Sequence, residues 1–97
     1  MIAIRAGLLA ASRPAQLRFL AGAIHTLTIR NRSYYDDEAP LARLIEGNEA
    51  IHRLSGHLRD LIDAGEELTE SRADGICEQL QFLPQSEIER IVQHSDL

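Results

Sequence analysis

Between residues 37 and 65 the apolar side chains recur at intervals of three and four. Leu41, Leu44, Ile45, Ile51, Leu54, Leu58, Leu61 and Ile62 follow the period of a helix, not the alternation of a strand. The pattern predicts one long helix from Asp37 to Gly65, about 40 Å at about 1.5 Å per residue. Asp36, Asp37 and Glu38 suit its N-terminus, where carboxylates meet orphan N–H groups and the positive end of the dipole. Pro40 is tolerated in a first turn, and Gly65 is placed for a left-handed C-terminal residue. The large side chains span roughly 200°, whereas one packing partner needs little more than about 100°. The helix should therefore be covered on two sides. Asn48 and Ser55 fall inside this arc, and either can set the register of a helix–helix seam.

The rest of the chain arranges itself around that helix. Ser12 and Pro14 open a helix expected from Arg13 to Arg30, with Leu17, Leu20, Ala21, Ile24 and Leu27 on its inner face. Residues 31–36 are expected as the connection, so the two helices pair antiparallel. Counting outward from that loop sets residue 30 opposite about 38 and residue 13 opposite about 55 on equal rise. The second helix then outlasts the first. Ile2, Ile4, Leu8 and Leu9, on an N-terminal arm of residues 1–12 that is either a short helix or extended, are placed to cover Leu58 to Ile62. Arg5 would approach Asp60 and Asp63. Ser71 is expected to cap a third helix to about Phe82. Ser86 and Glu89 match a capping box for a short fourth. The tail, residues 94–97, is expected to fray.

Length bounds this picture to one domain, residues 1–97, large enough to fold without staples. A single cysteine, Cys77, excludes an intramolecular disulfide, fits a reducing, cytoplasmic setting and reads as a small core residue. Residues 1–35 hold five arginines and no acid; residues 36–97 hold fifteen acids and five arginines. The net charge of −5 argues against nucleic acid, which needs a basic face. The basic first third has acidic partners enough within its own chain. No stretch approaches the roughly 18–20 apolar residues of a membrane span. The short apolar run of residues 6–11 leads into Arg13 and Pro14 rather than a cleavage site.

Candidate chemistry is sparse. Glu49 and His52 form E-x-x-H, which brings a carboxylate and an imidazole together on one helix face. Di-iron bundles use that motif twice with two further glutamates; here it occurs once and the first helix has no acid. The alternative is that Glu49 pairs with Arg53 on a solvated face. His25, His52 and His57 are not expected to converge, since the counted register sets His25 near residue 43, about 13 Å from His52. Tyr34 and Tyr35 are expected to plug the end of the bundle, and Tyr34 joins Glu49, His52 and Arg53 as a possible polar or ligand site. A helix-turn-helix reading of the last two helices is opposed by Glu87 and Glu89. No nucleophile–base pair or phosphate loop is present.

The run Arg32-Ser33-Tyr34 followed by Asn48-Glu49-x-x-His52-Arg53 resembles a group of small, uncharacterised helical proteins from proteobacteria. The likeness covers about residues 17–60 and implies no activity.

Together these features predict an all-α fold: a long antiparallel hairpin, two short C-terminal helices and an N-terminal arm. The function they favour is non-catalytic, a protein-interaction or structural module that forms a homodimer, with Asn48, Ile51, Ser55 and Leu58 in the contact. The alternative is a small metal- or ligand-binding protein centred on Glu49 and His52. No cofactor, metal, nucleic-acid or membrane partner is expected, although a protein partner other than itself remains compatible.

Overall fold

The computed structural model describes residues 2–36 and 41–97, with the backbone only for residues 2 and 34–36. Among these residues there is no strand. The chain forms α1 (Ile2–Ala10), α2 (Arg13–Asp36), α3 (Leu41–Ile62), α4 (Glu70–Gln79) and α5 (Gln85–His94), with a 3₁₀ turn at Leu80–Phe82 before α5. The long helices α2 and α3 pair antiparallel. α4 packs on α3 and α1, and α5 packs on α2. One core draws on every helix, including Leu8 of α1, Phe19 and Leu20 of α2, Leu54 of α3, Ile76 of α4 and Ile88 of α5. Phe19, absent from the expected inner face, is its largest fully buried side chain, whereas Ala21 is exposed.

The hairpin forms, but its register differs from the count. Residues 31–36 are not a loop; they are the last turns of α2. Two polar side chains there are bonded, one within the helix and one across the seam. Ser33 Oγ donates to the Arg30 carbonyl at 2.7 Å, and Asn31 reaches across to α3. Asn31 Nδ2 donates to Asn48 Oδ1 at 2.7 Å and to the Leu44 carbonyl at 3.3 Å. Gly47 makes room for it: a Cβ there would lie 2.8 Å from Asn31 Cγ. Asn31, only 5% exposed, thus sets the level at which the helices meet. At the other end, the Arg13 guanidinium donates to the Leu61 and Glu66 carbonyls. Residue 13 therefore lies opposite 61, not 55, and residue 31 opposite 44–48. The expectation that Asp36, Asp37, Glu38 and Pro40 open the second helix is corrected for Asp36, which closes α2; residues 37–40 lie outside the described residues.

α2 runs alongside α3 to its last turn. The arm is helical and seats mainly against α4, while its Ile4 and Leu8 join the same core as Leu58 and Leu61. Leu8 is fully buried. Gln16 Nε2 donates to its carbonyl at 2.9 Å, satisfying an orphan acceptor at the end of α1. Arg5 bonds Asp74 and approaches Glu70 at 4.0 Å, not Asp60 or Asp63 as expected. Arg13, in turn, serves the C-terminal carbonyls of α3, where a cation also meets the negative end of the dipole. Gly65 has the expected positive φ, +64°.

The short helices start one or two residues from their expected caps. Thr69, not Ser71, caps α4, its Oγ1 accepting from the Arg72 N–H at 3.2 Å. α5 begins at Gln85 behind Pro84, which offers no side-chain cap, so the Ser86–Glu89 capping box does not form. The tail is ordered into the fold rather than frayed. Ser95 is 2% exposed, with Oγ donating to the Ile91 carbonyl. Asp96 takes φ 59°, and the Leu97 N–H returns to the Val92 carbonyl at 3.3 Å. That six-to-one bond around a left-handed residue is a Schellman closure, and Leu97 packs on the core.

The seam between α2 and α3 is directly testable. Gly47→Ala gains up to about 1 kcal/mol of helix propensity. It also expels Asn31, leaving a buried carboxamide unpaired at about 1–3 kcal/mol. Denaturant unfolding should show a net loss of about 1–2 kcal/mol for Gly47→Ala. With Asn31→Ala already in place, the same substitution should become neutral or stabilising. Equal losses in both backgrounds would remove Asn31 as the cause.

Candidate functional site

At about 100° per residue, α3 presents two faces that the sequence merged into one arc. Leu44, Gly47, Ala50, Leu54 and Leu61 are buried, and Ile51 and Leu58 pack half-buried against the same core. The outward stripe starts at Leu41 and continues through Ile45, Asn48 and His52 to Ser55 at its edge; Ile62, in line with Leu44, is open at the C-terminal end of the helix. Leu41 is 70% exposed, Ile45 49% and Ile62 55%. α4 takes the opposite flank, meeting α3 at His57 and Asp60.

The residues predicted for a contact therefore divide. Asn48 and Ser55 lie on the outward stripe, Asn48 exposed and holding Asn31, Ser55 half-buried. Ile51 and Leu58 serve the chain's own core. The open apolar positions are Leu41, Ile45 and Ile62, which the spacing alone did not separate from core positions.

Glu49, His52 and Arg53 meet with Ile45 and Asn48 around a shallow depression on the stripe. Glu49 is ion-paired to Arg53 at 3.8 Å, both side chains being 56% exposed; such a pair contributes about 0.2–0.5 kcal/mol. Tyr34 and Tyr35, read as a plug or part of this site, have side chains outside the described residues. The observed register brings His25 level with the middle of α3 rather than with residue 43. It nevertheless sits in a cleft beside α5, His52 lies on the outward stripe, and His57 faces α4. No group of three or more His, Cys, Asp or Glu among the described residues is arranged to hold a metal ion. Cys77 is half-buried, and burial, followed by Asp74, pushes its thiol up. A raised thiol disfavours the nucleophilic thiolate.

His57 belongs to a cluster that clamps α4 onto α3. Arg72 Nη1 donates to Asp60 Oδ2 at 2.9 Å and to His57 Nδ1 at 3.1 Å, and Arg72 Nη2 donates to Glu66 Oε2. A guanidinium cannot accept, so His57 Nδ1 must be the unprotonated nitrogen and the ring neutral. Burial and then Arg72 hold the His57 pKa below its usual value, against a smaller opposing pull from Asp60. Gly75 keeps this ring in place, since a Cβ there would lie 3.1 Å from His57 Nε2. Glu66, in the linker between α3 and α4, closes the clamp.

No protein-family model, no curated protein and no solved structure matches the chain.

The depressed imidazole fixes the sign of a pH effect. In the unfolded chain His57 takes up a proton as pH falls through about 6.5, while the folded ring resists it. Stability contributed by neutral His57 is therefore present above that value and is lost as pH falls below it toward the lower folded pKa. Thermal melts at pH 7.5 and 5.5 should show a larger fall in Tm for wild type than for His57→Gln, which retains an acceptor for Arg72. Carboxylate titration is common to both proteins, so parallel pH slopes would rule out this role for His57.

Proposed function

We propose that the protein is a non-catalytic helical interaction module that pairs with a second copy of itself along the outer stripe of α3. The observation that carries this reading is the exposure of Leu41, Ile45 and Ile62 along a single helix. Scattered surface aliphatics are ordinary, but a line of them along a helix is a surface suited to another helix.

The spacing of the stripe supports an antiparallel, twofold pairing. Two pairs of positions are nearly symmetric about His52: Leu41 lies as far before it as Ile62 lies after it, to within a residue, and Asn48 and Ser55 are similarly disposed, whereas Ile45 has no apolar counterpart on the stripe. An isologous contact requires such self-complementarity. Leu41 of one copy would then face Ile62 of the other, with Asn48 and Ser55 as a polar pair that fixes register. Ile51 and Leu58 stay in the core of each copy. Exposed charge pairs add little to the affinity of such a contact, so its strength rests on the apolar side chains.

Light scattering should give the mass of a dimer for wild type at tens of micromolar. Ile45→Glu should give a monomer with unchanged helical circular dichroism, since the position is half open and tolerates a charge in the isolated chain. Leu58→Asp is a poorer test because it strikes the core and unfolds the protein. A wild-type monomer, or a dimer untouched by Ile45→Glu, would overturn the reading.

A further inference from the structure

α5 comes closest to α2 at Gly22, where a side chain would meet Ile91 Cγ2 at 3.2 Å. Along this contact the two helices leave a cleft of about 400 Å³, within the size range of small-molecule sites. Its apolar surface comes from Gly22, Ile29 and Ile91. Ile29 is 53% exposed, although it stands beside a core that buries most aliphatics of α2. Three cations line it, Arg18 and Arg30 from α2 and Arg90 from α5, beside the imidazoles of His25 and His94. The lining includes one carboxylate, Glu87. In a chain of net charge −5, this is a local reversal of sign inside a concave surface.

The arginines of the cleft are incompletely used by the fold. Arg18 approaches Asp96 at 3.5 Å, and the Asp96 side chain is 83% exposed. Arg30 and Glu87 stand 3.6 Å apart, too far for a well-formed hydrogen bond. Arg30 Nε is buried and has no hydrogen-bond partner, as is Glu87 Oε2. Buried polar groups in folded proteins nearly always find partners; here a donor of Arg30 and an acceptor of Glu87 both lack one, so neither side chain's bonding is completed within the chain.

We propose that the α2–α5 cleft binds a small carboxylate with an apolar body. The body lies over Ile29 and Ile91, and the carboxylate is held by the guanidinium groups of Arg30 and Arg90, whose planar forks match two oxygens. Charge complementarity selects an anion over a neutral apolar molecule. The small volume of the cleft selects a small molecule over an extended nucleic-acid backbone, which would also meet the acidity of the rest of the surface. This site shares no residue with the outer stripe of α3, so its test stands apart from that of self-association.

Octanoate, octanol and acetate, titrated separately into the full-length protein and followed by backbone amide shifts, separate the contributions. Octanoate should give saturable shifts confined to α2 residues 22–30 and α5 residues 87–95. Octanol, which has the body without the charge, and acetate, which has the charge without the body, should each bind more weakly by about tenfold or more. Arg90→Gln, at an exposed position that leaves folding intact, should weaken octanoate about tenfold and leave octanol unchanged. Arg30→Gln is the second variant, checked for folding by circular dichroism. Equal binding of octanoate and octanol, wild-type affinity in Arg90→Gln, shifts located elsewhere, or no saturable shift would each overturn the proposal.

Discussion

Two helices of 24 and 22 residues lie side by side only where one yields space to the other. Here Gly47 yields it and Asn31 fills it. The carboxamide is buried, so it must be bonded, and its partners Asn48 and Leu44 belong to a single turn of α3. A slip by one turn would strand it. This polar lock makes the pairing of α2 and α3 specific, whereas the surrounding leucines would tolerate neighbouring registers. Everything else takes its position from that register. Arg13 arrives at the end of α3, α4 finds the flank that carries His57 and Asp60, and the outward stripe is left over.

Arginine placement follows the same logic. Arg13 and Arg72 act at the C-terminal end of α3, the first on backbone carbonyls, the second on three side chains from α3 and the following linker. Both oppose the negative end of the helix dipole. Arg72, with a side chain 21% exposed, is sheltered enough for its bonds to matter, whereas pairs such as Glu49–Arg53 are solvated and contribute little. The division of charge between the first third and the remainder is thus largely settled within one chain.

Two surfaces remain after the fold has satisfied itself. One is the apolar line on α3, made of side chains that no helix covers. The other is the cleft between α2 and α5, where the apolar lining and the cations come from segments some sixty residues apart. They differ in chemistry: one is an exposed helical face with open aliphatic side chains, the other a concave surface lined with arginines. No helix among the described residues is long and apolar enough to cross a membrane.

By itself the sequence determined the all-α class, the long helix through Leu41 to Ile62, the antiparallel hairpin and the left-handed Gly65. Each rests on local rules of period, capping and backbone freedom that act within a few residues. It misjudged where α2 ends, because Asn31 and Ser33 are turn formers until a neighbouring helix and the preceding carbonyl take up their side chains. It could not divide the wide arc of α3 into a core face and an open stripe, since Leu44 and Ile45 are chemically alike and differ only in what stands opposite. The partner of Arg5, the seating of α1 and the basic cleft were likewise beyond it. Those depend on the level at which two helices meet, and a single buried carboxamide facing a glycine sets that level only when both helices are present.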